Sequence, residues 1–174
     1  MDILEKNHKT IIDGTYNASV DSMKSSIDVL ANYKKRKVAI LADMLELGDY
    51  SQQLHEEVGN YVATKEIDVL ICIGKEAKYM YQKAKEKMEN VYYFTSNQEV
   101  IEQLDQFLKN DDVVLVKGSH SMNLKEIVEK MNLKNLTPDV DLVEKYVQVP
   151  DINRPALQLS GYFDHFDSDR VQVI

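Results

Sequence analysis

The feature that most constrains this chain is a repeated change of hydrophobic period. Four short runs, Lys37–Leu41, Val69–Ile73, Val91–Phe94 and Val113–Val116, are apolar on successive positions and rich in β-branched or aromatic residues. A strand has this pattern when both of its faces are covered, as in a parallel sheet. The segments around them carry helical spacing instead. Val20, Met23, Ile27 and Leu30 form one stripe, and Leu54, Val58, Tyr61 and Val62 a second. Ala77, Met80, Tyr81, Ala84 and Met88 form a third, Val100, Ile101, Leu104, Phe107 and Leu108 a fourth, and Leu124, Ile127, Val128 and Met131 a fifth. Ser51 is the expected N-cap of the second helix, and Ser96 with Glu99 the expected capping box of the fourth. Strands alternating with amphipathic helices predict an α/β fold: a doubly wound, mostly parallel sheet with right-handed crossovers and helices on both faces.

The rhythm stops near residue 134. All three prolines, Pro138, Pro150 and Pro155, lie beyond that point. The division read from this change is a domain over 1–133 and an appendage over 134–174. The appendage holds one candidate helix, Val140 to Tyr146, and a strand-like end, Val171-Gln172-Val173-Ile174. A segment of about 40 residues rarely builds a core alone. Its apolar residues Leu157, Leu159, Tyr162, Phe163, Phe166, Val171 and Val173 are expected to be buried on the flank of the α/β domain or against a neighbouring chain, and the edge-type strand Val171 to Ile174 favours a partner copy and a homo-oligomer. Asp164, His165, Asp167 and Asp169 stand too close together to surround a metal ion without a dedicated loop, so no metal site is expected.

Charge excludes some partners. The formal net charge is −8, whereas a nucleic-acid surface needs a basic face. The basic run Lys34-Lys35-Arg36-Lys37 follows the first helix and fits cations near the negative end of its dipole. The single cysteine, Cys72, falls inside an apolar run and suits a reducing compartment. No apolar stretch approaches the length of a membrane span, and the N-terminus lacks a signal-peptide core. A cytoplasmic location is the expectation.

In open α/β sheets, ligands bind at loops after the carboxyl ends of strands. Three such loops are polar: Asp13-Gly14-Thr15-Tyr16-Asn17-Ala18-Ser19, Ala42-Asp43-Met44-Leu45-Glu46-Leu47-Gly48, and Lys117-Gly118-Ser119-His120-Ser121. The third sets a cation, a glycine and a hydroxyl ahead of a helix, a combination that suits a carboxylate or phosphate. The same residues also fit a capped helix start with a solvated lysine. Asp13 and Asp43 could accept bonds from a ribose hydroxyl or a ligand amine, or could cap a turn or helix. His55 reads as a structural histidine.

These loops also carry a family resemblance. Asp13-x-x-Tyr16-Asn17-Ala18, Asp21-Ser22-Met23, Asp43-Met44-Leu45-Glu46-Leu47-Gly48, His55-x-x-Val58-Gly59 and Val113-Val114-Leu115-Val116-Lys117-Gly118-Ser119 with Met122 stand in one order and spacing. The chain resembles there the C-terminal domain of the Mur ligases that join D-alanyl-D-alanine to UDP-N-acetylmuramoyl tripeptide (MurF). The resemblance implies an ATP-dependent ligase working through an acyl phosphate. It implies nucleotide contacts at Asp13 and Asn17, and dipeptide contacts at Asp43, Lys117, Gly118 and Ser119. This sequence departs from the pattern at Gly14, usually aspartate, at Ser19-Val20, usually Asn-Pro, at His120, usually arginine, and at Ala42, usually glycine.

No Gly-x-x-x-x-Gly-Lys-Ser/Thr run occurs in the 174 residues, so the β- and γ-phosphates have no cradle here. ATP and Mg²⁺ are therefore expected only beside a complete ligase. The implied partners are the ATPase and UDP-sugar-binding domains, or a separate chain carrying them, with D-alanyl-D-alanine as ligand. The 174 residues by themselves are expected to be inactive, being either a ligase fragment or a protein that kept this domain. The alternative is a non-catalytic module that senses a nucleotide or a cell-wall precursor. A second resemblance supports it. Asp151-Ile152-Asn153-Arg154-Pro155-Ala156-Leu157-Gln158-Leu159-Ser160-Gly161-Tyr162-Phe163 and Asp169-Arg170-Val171-Gln172-Val173 are similar to part of the N-terminal domain of HPr kinase/phosphorylase.

Overall fold

The computed structural model describes residues 1–6 and 8–133. The tail expectations (the Val140–Tyr146 helix, the terminal strand, the acidic cluster and the homo-oligomer contacts) lie outside the described residues.

Six strands, β1 (Asp2–Lys6), β2 (Lys9–Gly14), β3 (Lys37–Ala42), β4 (Val69–Ile73), β5 (Val91–Phe94) and β6 (Val113–Lys117), form one sheet in the order β1-β2-β6-β3-β4-β5. β1 is antiparallel to β2, and every other pairing is parallel. Five helices connect or follow the strands: α1 (Val20–Ala31), α2 (Ser51–Ala63), α3 (Ala77–Lys85), α4 (Asn97–Phe107) and α5 (Lys125–Leu133). The doubly wound α/β expectation is met.

Alternation along the strands builds two cores, one on each face. Ile12, Ala39, Leu41, Leu70, Cys72 and Leu115 join Met23, Ile27, Leu30, Val58, Val62 and Met80 of α1, α2 and α3. Ile11, Val38, Ile40, Ile71, Val114 and Val116 join Val100, Leu104, Ile127 and Val128 of α4 and α5. Most of these side chains are wholly buried, each contributing about 1.5–3 kcal/mol of hydrophobic stabilisation. Cys72 is among them, and burial pushes its thiol well above the ordinary range, which makes it inert.

One local expectation needs correction. Ser51 does not cap α2. A 3-10 turn over Gly48–Tyr50 runs directly into the helix, and the Ser51 hydroxyl donates instead to Glu76 Oε2 at 2.9 Å. The basic run begins two residues beyond the Asn32 C-cap of α1, whose last turn itself holds no cation. Arg36 Nη1 pairs with Asp112 Oδ2 at 2.6 Å and donates to the Phe107 carbonyl at 3.0 Å. Lys35 faces Asp111, and Lys37 Nζ donates to the Tyr33 carbonyl. The Arg36 and Lys35 bonds tie the amino edge of β3 to the α4–β6 turn, where Asp112 is fully buried and its charge requires a partner.

Ser96 Oγ does accept from the Glu99 N–H. The Glu99 carboxylate in turn accepts from the Thr95 N–H at 2.9 Å, and that bond holds Glu99 below its usual pKa.

Candidate functional site

Parallel pairing puts the three polar loops side by side. Lys117 ends β6, between Gly14 of β2 and Leu41 of β3 in register. Asp13 pairs with Val116, and Asp43 directly follows β3. Asp13, Asp43 and Lys117 thus share the carboxyl rim, on adjacent strands.

Lys117 is the unusual group. It is only 6% exposed, and its Nζ donates to the Asn17 carbonyl at 2.7 Å. Burial lowers its pKa from the ordinary lysine value, because the low-dielectric surroundings disfavour the ammonium. Its stem lies against Gly14, where a Cβ would stand 3.2 Å from the Lys117 Cγ and Cδ. Gly14, a departure from the family pattern, therefore leaves room for the lysine.

Asp13 Oδ1 accepts from the Thr15 N–H at 3.0 Å, forming an Asx turn that shapes the first loop. Asn17 is exposed, with its Oδ1 on the Ala18 N–H. Ser19, a second departure, forms a reciprocal capping box with Ser22 at the start of α1. Tyr16 is 82% exposed and meets His120 with ring centroids 5.7 Å apart, joining the first loop to the third.

Gly118 lies where the chain passes between two packed groups. A Cβ there would stand 2.8 Å from Ala42 Cβ and 2.7 Å from Leu124 Cδ1. Ser119 Oγ accepts from the Leu45 N–H at 2.9 Å, leaving its own proton to donate. Ser119 precedes a 3-10 turn, His120–Met122, rather than the α-helix itself, which starts at Lys125. The expected help from a helix N-terminus at this loop is correspondingly smaller.

Asp43 takes the capping alternative. Its Oδ1 accepts from the Glu76 N–H at 3.0 Å and the Ala77 N–H at 2.7 Å, capping α3 from a different strand. The carboxylate fits only because residue 74 is glycine, at φ +121, where a Cβ would meet the carboxylate at 2.4 Å. Sequence reasoning missed this bond, and the glycine just ahead of a helix start was the available signal.

Comparison with known proteins places these features in a lineage. The family profile of the Mur ligase glutamate ligase domain matches residues 1–120. The chain belongs to the Mur ligase C-terminal domain family.

The UDP-N-acetylmuramoyl-tripeptide–D-alanyl-D-alanine ligase of Haemophilus influenzae is 32% identical over 130 residues, covering 71% of this chain and 27% of that enzyme. The crystal structure of MurF ligase from Thermotoga maritima, in complex with ADP, superposes with a TM-score of 0.66 at 26% identity, covering 77% of this chain and 30% of that one. The chain thus spans little more than a quarter of the length of the ligases it matches.

Residues 122–174 match the profile of the HPr serine kinase N terminus. Over 55 residues the chain is 56% identical to the HPr kinase/phosphorylase of Lachnoclostridium phytofermentans, covering 32% of this chain and 18% of that protein. The two profile matches meet ahead of α5, although Leu124, Ile127, Val128 and Met131 of that segment pack into the sheet's second core. None of the described helices is long and apolar enough to cross a membrane.

Proposed function

We propose that residues 1–133 act as the acceptor-holding domain of a MurF-type ligase, binding the carboxylate of D-alanyl-D-alanine at Lys117, Gly118 and Ser119. One observation carries the reading. A lysine buried to 6% exposure has, among the described residues, a neutral carbonyl as its hydrogen-bond partner and no carboxylate. Burying a charge is costly unless a counter-charge repays it. An anionic ligand at the rim would supply one, and the Ser119 O–H, two residues further along the same loop, would offer a second donor.

Clamping the dipeptide by its carboxylate leaves its amine as the mobile, reactive end. The positive charge of Lys117 also favours the neutral amine, the form able to attack an activated carboxylate. Asp13 and Asn17, on the neighbouring loop, are placed to meet a nucleotide carried by another domain, with Asp13 Oδ2 and the Asn17 amide available to a ribose hydroxyl. ATP and Mg²⁺ would supply acyl activation from that domain.

Titrating ¹⁵N-labelled protein with D-alanyl-D-alanine tests the proposal. Amide shifts centred on Gly118 and Ser119, abolished in Lys117→Met, are expected. An unchanged spectrum at millimolar dipeptide would remove the ligand assignment. ATP hydrolysis is expected to remain at the no-enzyme level, because the 174 residues lack a Gly-rich Lys-Ser/Thr loop.

The match of residues 122–174 to the HPr serine kinase N terminus favours a second reading, a non-catalytic module that senses a cell-wall precursor. Adding an ATPase-domain chain in trans separates the two: ligation restored supports the first, whereas dipeptide binding without ligation supports the second.

A further inference from the structure

The second rim loop is tied to the starts of α2 and α3 by a closed circuit of bonds. The Asp43 carboxylate accepts from the Glu76 N–H. The Glu76 carboxylate accepts from the Ser51 hydroxyl at 2.9 Å. The Ser51 carbonyl faces His55 Nδ1 at 2.7 Å. His55 Nε2 faces the Met44 N–H at 3.0 Å, and Met44 is bonded covalently to Asp43. A branch extends to the third loop, where the Ser119 N–H donates to the Asp43 carbonyl at 3.0 Å and Ser119 Oγ accepts from the Leu45 N–H.

The circuit fixes the state of one ring. An amide N–H can only donate, so Nε2 of His55 must accept. A carbonyl can only accept, so Nδ1 must carry the proton. His55 is wholly buried; Ser51 Oγ, 3.4 Å from Nδ1, gives its proton to Glu76 and can only accept from the ring, so the neutral Nδ1–H tautomer alone satisfies every neighbour. The imidazolium or the other tautomer would set an N–H against the Met44 N–H.

We infer that His55 is a positioning residue for the rim: as the neutral Nδ1–H tautomer it locks the 43–48 loop, and through that loop sets Ser119 at the ligand-facing edge. It touches no ligand and acts through the Met44 N–H, the Leu45 N–H and the Ser119 hydroxyl. The inference rests on the proposed dipeptide site for its functional meaning, but the lock itself does not depend on any ligand.

Two substitutions divide the ring's two bonds. His55→Gln can keep an acceptor near the Nε2 position, whereas His55→Asn can keep a donor near Nδ1 and loses the bond to Met44. Amide hydrogen exchange on the full chain reads the result. His55→Asn is expected to speed exchange at Met44, Leu45 and Ser119 by at least about tenfold, corresponding to one lost bond of about 1.4 kcal/mol. α1 and α4 should stay unchanged, and His55→Gln should restore most of the protection. Equal exchange in the two variants, or protection in His55→Asn matching the parent, overturns the inference.

Should either variant fold poorly, the parent protein decides. Long-range ¹H–¹⁵N correlation of the His55 ring is expected to show a protonated Nδ1 and a bare Nε2, and the opposite tautomer overturns the lock. Dipeptide titration on the same samples separates the two ideas. A lock confirmed without dipeptide shifts removes the ligand assignment and leaves the positioning role of His55 in the rim standing.

Discussion

Lys117 Nζ lies 2.7 Å from the carbonyl oxygen of Asn17, so the third rim loop holds the backbone of the first. The bond crosses from the end of β6 to the β2–α1 connection. It links the residues proposed to face the dipeptide with those proposed to face a nucleotide. Among the described residues this buried ammonium has a neutral oxygen as its partner, which costs stability, and a residue kept at such a cost is a functional candidate.

Replacing it should therefore stabilise the domain. Lys117→Met is expected to raise stability by about 1 kcal/mol at pH 7, within the range of such site-relaxing changes. The sign of the pH dependence follows from the lowered pKa of Lys117. The penalty is fully present below the folded pKa and fades as pH rises through it towards the unfolded value. The gain in melting temperature over the parent should shrink above that pKa. A variant less stable than the parent at neutral pH would contradict this account.

Gly14→Asp should supply the missing counter-charge. Its Cβ would press on the Lys117 stem at 3.2 Å, a contact that a flexible side chain can relieve. The new carboxylate is expected to raise the Lys117 pKa back towards the ordinary lysine range, because an opposite charge close by favours the ammonium. Titration of the lysine ¹³Cε resonance measures that shift.

At the opposite end of the sheet, Arg36→Met should unfold the domain at lower denaturant concentration, costing about 3–5 kcal/mol. The loss leaves the buried Asp112 carboxylate without its hydrogen-bonded cation, with Lys9 acting on it through space. Burial already raises the Asp112 pKa, against the opposing bonds from Lys109 and Arg36. Without Arg36 the pKa rises further, so the protonated form is favoured in the fold. The deficit relative to the parent should narrow as pH falls through that raised pKa. Urea titrations at several pH values would show it.

Gly74→Ala should destabilise by about 2 kcal/mol or more, because it combines a positive φ with a side chain driven into the Asp43 carboxylate. Helix α3 would lose its cap along with the glycine. The measurement is chemical denaturation of the parent and variant. A change within 0.5 kcal/mol, typical of neutral surface substitutions, would deny Asp43 its capping role.

How much of this was legible in the sequence depended on how local the signal was. Val113–Val116 and Val69–Ile73 declared themselves because strands buried on both faces are apolar throughout. The five helical stripes were read from spacing alone and pack as expected. β1 was not seen: Asp2-Ile3-Leu4-Glu5-Lys6 is short, carries charges, and forms an edge with Ile3 half exposed. Edge strands lack the apolar run that marks central ones.

Among the site residues, the placement of Lys117 and Asp13 on one rim followed from the parallel pattern. The engagement of Asp43 with α3 did not, because its partners lie more than thirty residues away along the chain. Ser51 was misread for the opposite reason. A serine at a helix start looks like a cap unless the preceding 3-10 turn is known.

The position of β6 has a consequence for how the protein is made. β6 is the last strand of the described sheet to be synthesised, yet it lies between β2 and β3. While a ribosome is still translating residues before Val113, the nascent chain can hold a β1–β2 hairpin and a β3–β4–β5 sheet, but not the junction between them. Each piece then presents an unpaired edge, Ile11-Ile12 on one and Val38–Leu41 on the other, the kind of surface that recruits other chains. Arrival of Val113–Lys117 zips both edges shut in one insertion, and the same event brings Lys117 beneath Asn17. Stalled or prematurely terminated synthesis anywhere upstream would thus yield sticky half-sheets rather than a smaller working domain.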